Sequence, residues 1–300
     1  MGRVTGIGTA CEHAHVSTGA PAQPPADAAP LDALVARLRA AGCVFAEDEA
    51  ALLVAAAAAP ITGPLTAALT AAPGGPVLED LVARRVAGEP LETVLGWVAF
   101  AGLRLAVGRG VFVPRRRTEL LARTAVRLAR AAGPAPVVVE ACCGVAPVAS
   151  LVLREVPGVD VHAADLDPVA VGWAARNLGD PARAHVADLL EGVPPYLRGR
   201  VDVLVANAPY VPHDAIATMP PEAREHEPWA ALDGGPDGVD LQRRLLVAAP
   251  AWVRPGGQVL VETSVRQAPL TLAACPAGWD AEVLHDDEVD GTAVVARRPH

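Results

Sequence analysis

The sequence predicts an α/β protein with a doubly wound, mostly parallel sheet that has an antiparallel edge strand, preceded by a small all-α domain. From about residue 117 onward, short apolar runs alternate with helical patterns, which is typical of a parallel sheet covered by helices on both faces. The last two predicted strands have no helix between them, which indicates antiparallel pairing at one edge. Before residue 96 only helical periodicity occurs.

The first 95 residues divide into a tail and a helical domain. Residues 1–30 are rich in Ala, Pro, Gly and Thr and have no period, so we expect a disordered tail. Residues 31–95 form the helical domain, since apolar side chains recur at helical spacing from Leu31 onward. Its helices are predicted over the stretches from Leu31 to about Gly42, Glu47–Ala59, Leu65–Ala72 and Val77–Val86.

A β-hairpin is predicted to link this domain to the sheet. Apolar residues nearly alternate between Trp97 and Pro114, with glycines among them, so residues 96–114 are assigned to the linker. Residues 115–300 then form the α/β domain. Its predicted elements are helix Thr118–Ala132, strand Pro136–Glu140, helix Pro147–Glu155, strand Val159–Asp165, helix Pro168–Leu178, strands Ala184–Ala187 and Val201–Ala206, helix Leu241–Trp252, and strands Gln258–Thr263, Ala281–His285 and Thr292–Ala296.

Composition argues against several classes of function. The net charge of −9 disfavours contact with phosphate backbones and aromatic residues make up only 3%, so we expect no direct nucleic-acid binding. The most apolar run, Ala50–Ala59, is about half the roughly 20 residues that a spanning helix needs, so we expect no membrane segment. Five cysteines without a C-x-x-C pair indicate neither a disulfide framework nor a zinc site, and they fit a reducing cytoplasm.

The turns after the strands are the candidate site, because ligands of doubly wound sheets bind at the carboxyl ends of the strands. The first turn runs from Glu140 to Ala146 and contains one glycine, Gly144, with a small residue at Cys142. A dinucleotide pyrophosphate needs several glycines at a helix N-terminus, whereas this loop suits a ligand without phosphates. A plain strand-to-helix turn explains the same residues equally well.

Acidic residues follow the next two strands. Asp165 can accept hydrogen bonds from ribose hydroxyls; the alternative is a helix N-cap, a role that Asp167 fills better. Asp188, followed by Leu189, can face an adenine amino group or be a solvated turn residue. Carboxylates around a loop without phosphate donors favour a cationic nucleoside, and S-adenosylmethionine fits this description.

The turn Asn207-Ala208-Pro209-Tyr210 is the sharpest local signal, and it follows the buried strand VDVLVA. An Asn/Pro turn is common, so by itself this stretch indicates only a turn. Together with the turns after the other strands, it favours a functional site. The turn resembles the N-P-P-Y motif of methyltransferases that alkylate planar exocyclic or amide nitrogens.

Further segments indicate which family of such methyltransferases the chain resembles. They are Gly88–Leu91 with Gly96 and Phe100, Gly110–Arg115 with Thr118 and Glu119, Glu227–Pro228, Ala231–Gly235 with Asp237 and Gly238, and Arg254–Gly257. In this order, over about residues 31–297, the chain resembles the HemK/PrmC family, the N5-glutamine methyltransferases of peptide chain release factors.

The resemblance implies a Rossmann-like class I methyltransferase fold that uses S-adenosylmethionine and needs no metal. The cofactor-binding residues are expected to be Glu140, Cys142, Gly144, Ala146, Asp165, Asp188, Leu189 and Asn207. The substrate-binding residues are expected to be Asn207, Ala208, Pro209 and Tyr210. Of these, Asn207 and Tyr210 are the implied catalytic residues. The implied partner is a release factor, which contacts the helical domain of a monomeric, cytoplasmic enzyme.

The chain departs from the family pattern at three places. Cys142 stands at the first glycine of a D-x-G-x-G-x-G loop, where we expect a negative φ because its side chain disfavours a positive one. Ala208 replaces a proline, and Arg117 replaces a glutamate. Two alternatives stay open: a nucleic-acid N6-adenine methyltransferase, which the acidic charge disfavours, and a non-catalytic descendant that binds the cofactor or a partner.

Overall fold

The computed structural model describes residues 28–58 and 78–300. The predicted disordered tail lies outside these residues except for its last three. There the structure differs from the prediction, because the first helix already begins at Ala28, where the Ala-rich sequence has a high helix propensity. The predicted helix Leu65–Ala72 also lies outside the described residues.

Within residues 28–58 and 78–95, the structure describes four helices. They are α1 (Ala28–Ala40), α2 (Ala46–Ala58), α3 (Leu78–Val86) and α4 (Leu91–Leu95). Their apolar faces meet in one hydrophobic cluster, in which Leu38 and Leu53 are fully buried. Burial of such faces is the main force that holds short helices together. Helix α4 has only five residues, too few for a helical period to show in the sequence.

The predicted β-hairpin is present as β1 (Trp97–Phe100) and β2 (Leu103–Ala106), which pair antiparallel. The side chain of Asn177 fastens the hairpin to the rest of the protein. Its Oδ1 accepts a hydrogen bond from the N–H of Ala106 at 2.8 Å, and its Nδ2 donates to the carbonyls of Ala106 and Val145, each at 2.9 Å. The hairpin is therefore held against the loop that follows the first strand of the sheet.

Seven strands form the main sheet. They are β3 (Val137–Ala141), β4 (Asp160–Asp165), β5 (Ala184–Val186), β6 (Val201–Ala206), β7 (Val253–Glu262), β8 (Asp280–Asp286) and β9 (Gly291–Arg297). Their order across the sheet is β5–β4–β3–β6–β7–β9–β8. The pairs from β5 to β7 are parallel, and β9 is antiparallel to both of its neighbours. The predicted antiparallel pairing at one edge is confirmed, with β9 one position inside the edge strand β8.

Helices cover the sheet on both faces. They are α5 (Thr118–Ala132), α6 (Pro147–Glu155), α7 (Pro168–Leu178), α8 (Pro221–His226), α9 (Asp240–Trp252) and α10 (Ala268–Ala273). Alternate residues of β3 point to opposite sides: Val138 lies in a cluster with residues of α5, α6 and α7, whereas Val137 and Val139 lie in a cluster with residues of α9. This confirms the doubly wound arrangement. None of the helices within residues 28–58 and 78–300 combines the length and the apolar character that crossing a bilayer requires.

The order of the strands reverses at β3. The chain adds β4 and β5 on one side of β3 and then returns to place β6 on the other side. A crevice forms at such a switch point because the connections after β3 and β6 leave in opposite directions, and ligands of open α/β sheets bind there.

Candidate active site

A cavity of about 580 Å³ lies at the carboxyl ends of β3, β4, β5 and β6. Its volume is within the range of about 300–1,000 Å³ that small-molecule sites occupy. The turns after the four strands form one wall. Residues 110–118, between the hairpin and α5, and residues 219–232, around α8, contribute the rest. The structure therefore brings the predicted strand-end residues to one shared space.

The loop after β3 has a left-handed backbone at three alternate positions, Cys142, Gly144 and Ala146, with φ of +51°, +53° and +60°. The expectation of a negative φ at Cys142 is wrong. An L-residue loses roughly 1–2 kcal/mol in this conformation, and local hydrogen bonds hold the loop in it. The N–H of Gly144 donates to Oδ2 of Asp165 at 2.8 Å, and the N–H of Ala146 donates to the carbonyl of Cys143 at 2.7 Å.

Two of the predicted cofactor-binding residues support this loop from behind. Ala146 is fully buried just before α6 and does not line the cavity, whereas the other predicted residues do. Glu140 reaches the cavity, but its oxygens accept hydrogen bonds from the N–H groups of Val148 at 3.3 Å and Ala149 at 2.6 Å, in the first turn of α6. Burial raises the pKa of Glu140 to about 8, although these hydrogen bonds favour the charged form.

Asp165 ends β4 and joins two turns. Its Oδ2 accepts from Gly144, and its Oδ1 accepts from the N–H of Asp167 at 3.0 Å. Burial raises the pKa of Asp165, while these backbone hydrogen bonds oppose the rise. Asp167 caps α7, because its Oδ1 accepts from the N–H of Val169 at 2.8 Å. The prediction that Asp167 is the helix cap is confirmed, which leaves Asp165 available to the cavity.

Asp188 and Leu189 follow β5 and both line the cavity. The carboxylate of Asp188 pairs with Arg244 of α9, with 2.7 Å between Oδ2 and Nη2. Leu189 has a positive φ of +56° and is almost fully buried. Asp188 therefore lies at the wall of the cavity with its carboxylate held by Arg244.

The turn after β6 forms the opposite side of the site. Asn207, Ala208, Pro209 and Tyr210 all line the cavity. Nδ2 of Asn207 donates to Oγ1 of Thr118, the first residue of α5, at 3.2 Å. The Tyr210 hydroxyl donates to Oε1 of Glu262 at 3.3 Å. Burial raises the pKa of Tyr210, so its hydroxyl remains protonated.

Glu262 is a site-supporting residue that the sequence analysis missed. It ends β7 and is only 2% exposed, and its Oε2 has no hydrogen-bond partner among the described residues. Nε of Arg117 lies 3.5 Å from its Oε1, and the guanidinium of Arg117 lies 5.8 Å from the ring centroid of Tyr210. A signal was present in the sequence: Glu262 directly follows a buried apolar run, as Asp165 does.

The wall made by residues 219–232 is anchored by ion pairs. Nη2 of Arg115 lies 2.6 Å from Oε1 of the buried Glu227, and that oxygen also accepts from the N–H of Val113 at 3.3 Å. Glu222 lies 3.7 Å from Nη1 of Arg85 in α3. The N-terminal helices and the segment before α5 therefore both contact the wall made by residues 219–232.

The residues present fit S-adenosylmethionine, a nucleoside with a positive sulfonium and no phosphate. Cys142 and Pro147 line the cavity without closing it, and a Cβ built on Gly144 would meet no atom within 4 Å. Asp165 and Asp188 place hydrogen-bond acceptors and negative charge on the wall formed by the turns after the strands, which we call the acidic wall. Within the described part of the chain, no group of three or more His, Cys, Asp or Glu side chains is placed to hold a metal ion. Sheet order, strand-end cavity and acidic wall together define a class I S-adenosylmethionine-dependent methyltransferase.

Comparison with known proteins identifies the family within this class of methyltransferases. No protein-family model matches the chain. A release factor glutamine methyltransferase of Streptomyces coelicolor is 39% identical over 213 residues, which cover 69% of this chain and 75% of the relative. A 4-amino-L-phenylalanine/4-methylamino-L-phenylalanine methyltransferase of Streptomyces pristinaespiralis is 35% identical over 254 residues, 82% of this chain and 85% of the relative. The chain belongs to the release factor glutamine methyltransferase family.

A solved structure is also similar to this chain, at lower identity. The protein-(glutamine-N5) methyltransferase (release factor-specific) from Alicyclobacillus acidocaldarius is 21% identical, with a TM-score of 0.38. The match covers 63% of this chain and 95% of that one.

Proposed function

We propose that this protein methylates the N5 nitrogen of a glutamine side chain in a protein, with the G-G-Q loop of a peptide chain release factor as the acceptor. The observation that carries the proposal is the Asn207 amide at the cavity. Its Nδ2 is engaged by Thr118, so Oδ1 is left to accept an N–H group of the substrate. The release factor glutamine methyltransferase of S. coelicolor supports the choice of acceptor.

The cofactor site that we propose lies on the acidic wall. When bound, S-adenosylmethionine would supply a methyl group from its positively charged sulfur, and methylation of the amide would release one proton. Asp165 would accept hydrogen bonds from the ribose hydroxyls, and Asp188, oriented by Arg244, would accept from the adenine amino group. The remaining residues proposed to contact the cofactor are Glu140, Cys142, Gly144 and Leu189.

The side of the cavity formed by Asn207 to Tyr210, which we call the acceptor side, has to make the substrate's amide nitrogen, a weak nucleophile, reactive. An amide nitrogen shares its lone pair with the carbonyl group, so it attacks slowly unless it is held and polarised. Two acceptors are proposed to hold its N–H groups, the side-chain oxygen of Asn207 and the backbone carbonyl of Ala208. The ring of Tyr210 would pack on the amide plane. Positioning and fixed dipoles then supply most of the rate, without a strong base.

The charges on the acceptor side favour a neutral group. The two arginines that line the cavity each lie against a buried glutamate, Arg115 against Glu227 and Arg117 against Glu262. Such pairing offsets their positive charge, so a neutral carboxamide enters without leaving a buried charge unpaired.

The N-terminal helices are proposed to contact the release factor. They have their own hydrophobic cluster, and their Arg85 lies beside Glu222 in the wall made by residues 219–232. A protein bound to this part would thus lie next to the acceptor side. We propose the division into a helical recognition domain at 31–95, a hairpin linker at 96–114 and a methyltransferase domain at 115–300. A monomer acting in the cytoplasm completes the proposal.

A second candidate acceptor is the aromatic amine of a free amino acid. The relative named for methylating 4-amino-L-phenylalanine matches 82% of this chain, against 69% for the release factor enzyme of S. coelicolor. Arg117 lines the cavity with its side chain 46% exposed, so its guanidinium is accessible to a substrate carboxylate. This candidate differs from the first in the size and charge of the acceptor.

The test is methylation with labelled S-adenosylmethionine and three separate acceptors: a release factor, the same factor with its G-G-Q glutamine replaced by Ala, and 4-amino-L-phenylalanine. We expect label only in the first, located at the glutamine by mass spectrometry. Asn207→Ala should remove the labelling and keep cofactor binding measured by calorimetry.

Three outcomes would contradict the proposal. Label in 4-amino-L-phenylalanine but not in the release factor would establish the second candidate. Absence of S-adenosylmethionine binding at tens of micromolar would indicate a non-catalytic descendant, and label in DNA or rRNA alone would indicate an adenine methyltransferase.

A further inference from the structure

We infer that Gln267 is a positioning residue that fixes the turn Asn207–Tyr210 by binding its last main-chain carbonyl, that of Tyr210. Gln267 directly precedes α10, is 8% exposed and does not line the cavity, so its effect on the acceptor is indirect. The inference rests on the proposed function only in that Asn207 and Ala208 are taken to hold the acceptor nitrogen. The contacts of Gln267 do not depend on the substrate.

The turn after β6 needs support because Ala208 stands at its second position, where the family pattern has a proline. A proline ring fixes the φ of its own residue and restricts the residue before it. With alanine there, the φ of Ala208 and the backbone of Asn207 are less restricted. The two oxygens that are proposed to hold the acceptor nitrogen are effective only if the turn keeps them in place.

Gln267 holds one end of the peptide unit that closes the turn. Its Nε2 donates to the carbonyl of Tyr210, with 2.7 Å between nitrogen and oxygen. At the other end of the same peptide unit, the N–H of Val211 donates to the carbonyl of Leu232 at 3.0 Å. The Tyr210–Val211 peptide is therefore fixed on both sides, and without the amide of Gln267 it would be held by its N–H alone.

Two further hydrogen bonds fix which end of the Gln267 amide faces Tyr210. Oγ of Ser264 donates to Oε1 of Gln267 at 2.5 Å, so the oxygen end has its partner. Nε2 makes a second donation, to the carbonyl of Asp237 at 3.0 Å. An amide has two N–H donors, and here each of them has a carbonyl acceptor. The reverse orientation would set Oε1 against two carbonyl oxygens.

Gly238 provides the space for this contact. A Cβ built on Gly238 would overlap both Nε2 of Gln267 and the carbonyl oxygen of Tyr210. Gly238 also has a φ of +80°, a conformation that favours glycine. A Cβ built on Gly234 would meet Cα of Tyr210 at 2.7 Å. The segment 234–238 is thus packed directly against the turn, and the glycine at 238 lets Gln267 reach the Tyr210 carbonyl.

The first test removes the amide. Gln267→Leu keeps the approximate size and removes both donors, and we expect it to lower kcat by about 10- to 100-fold for the acceptor that the wild type methylates. Cofactor affinity should stay within about threefold of wild type, because the acidic wall is not part of this network. Ser264→Ala removes only the hydroxyl that orients the amide. It should lower kcat by about three- to tenfold, and it tests the same contact if Gln267→Leu does not fold.

A matched control separates positioning from loss of stability. Gln242 is a second buried glutamine, and its Nε2 donates to the carbonyl of Glu262 at 3.1 Å. Gln242→Leu therefore loses a buried hydrogen bond of the same kind without touching the turn, and it should keep kcat within about threefold of wild type. An equal loss of kcat in Gln242→Leu and Gln267→Leu would overturn the inference.

A second measurement needs no acceptor. The chain has two tyrosines, Tyr196 and Tyr210, so protein labelled with 3-fluorotyrosine reports on Tyr210 with the exposed Tyr196 as an internal reference. We expect the Tyr210 resonance of Gln242→Leu to match that of wild type. In Gln267→Leu it should broaden or split, because the turn then samples more than one position.

An unchanged Tyr210 resonance in Gln267→Leu, or a kcat within threefold of wild type, would overturn the inference. If the wild type methylated no glutamine, the proposed function would fail, while the fluorine spectra would still decide the role of Gln267.

Discussion

The carboxyl group of Asp165 accepts a hydrogen bond from the backbone N–H of Gly144, with 2.8 Å between Oδ2 and N. This contact joins the end of β4 to the loop after the neighbouring strand β3. The second oxygen of Asp165 accepts from Asp167 at 3.0 Å. One side chain therefore fixes two turns of the cofactor wall while it faces the cavity.

Asp165→Asn is expected to weaken S-adenosylmethionine binding by about 10- to 100-fold. An amide presents one donor and one acceptor, so one of the two backbone N–H groups loses its partner, and hydrogen bonds to charged groups contribute about 1.5–3 kcal/mol. Calorimetric titration measures the change. Asp180→Asn is the matched control, because Asp180 caps a single helical turn outside the cavity, and it should leave the affinity unchanged. Equal affinities of wild type and Asp165→Asn would refute the assigned role.

Cys142→Gly is expected to be more stable than Cys142→Ala by about 0.5–1 kcal/mol. Both substitutions remove the thiol, but only glycine removes the strain of a Cβ at φ +51°. The relief of roughly 1–2 kcal/mol exceeds the additional entropy that glycine loses on folding. Urea unfolding of the two variants measures the difference. A more stable Ala variant would mean that Cys142 does not have a left-handed backbone.

Arg244→Gln is expected to reduce cofactor affinity by about three- to tenfold with almost no loss of stability. The pair Arg244–Asp188 is about half exposed, and exposed ion pairs contribute about 0–1 kcal/mol to folding. Its effect on affinity comes from losing the fixed orientation of Asp188. Arg243→Gln on the same helix is the control, since Arg243 pairs with Asp237 and Asp240 instead. A similar loss of affinity in both variants would argue against a specific role for Asp188.

The stability that Glu89 contributes is expected to depend on pH. Burial alone would raise the pKa of Glu89, but hydrogen bonds from Arg84 and Arg109 lower it from 4.5 to about 2. A carboxyl with a lowered pKa stabilises the folded state above the unfolded pKa, and the contribution is lost as the pH falls from about 5 toward 2. Glu89→Gln should therefore lower the free energy of unfolding by about 1–3 kcal/mol at pH 7.

Denaturant unfolding at several pH values checks this prediction. The difference between wild type and Glu89→Gln should shrink as the pH falls below 5. Glu79→Gln removes an exposed pair with Arg37, and it should give no measurable difference at any pH. A constant difference for Glu89→Gln would mean that its carboxyl does not titrate in this range.

Several elements follow from local sequence alone. The predicted bounds of α5, α6, α7 and β6 agree with the structure, because a proline marks the starts of α6 and α7, helical periodicity indicates α5, and an apolar run marks the buried strand β6. The helices α8 and α10 could not be predicted from period, since six residues give fewer than two turns. The first residues of β7 were also missed, because a Pro-Gly-Gly sequence reads as a turn.

The sequence predicted the residues of the acidic wall, Asp165 and Asp188. On the acceptor side it predicted Asn207 to Tyr210 but not the supporting Glu262. Asp165, Asp188 and Asn207 each end or directly follow a strand, so strand prediction alone placed them at one edge of the sheet. The left-handed backbone at Cys142 contradicts the residue's own preference, and contacts with neighbouring segments hold it.

Only the tertiary structure brought Thr118 to Asn207 and Glu262 to Tyr210. Local patterns do not specify which strands become neighbours, because strand order depends on how the whole chain buries its apolar faces. Once β6 and β7 pair and α5 packs across both, the side chains of Thr118 and Asn207, from distant parts of the sequence, come within hydrogen-bonding reach. The sequence by itself determined the class of fold and the edge where the site lies, and the pairing of those elements decided which atom of Asn207 is free to meet a substrate.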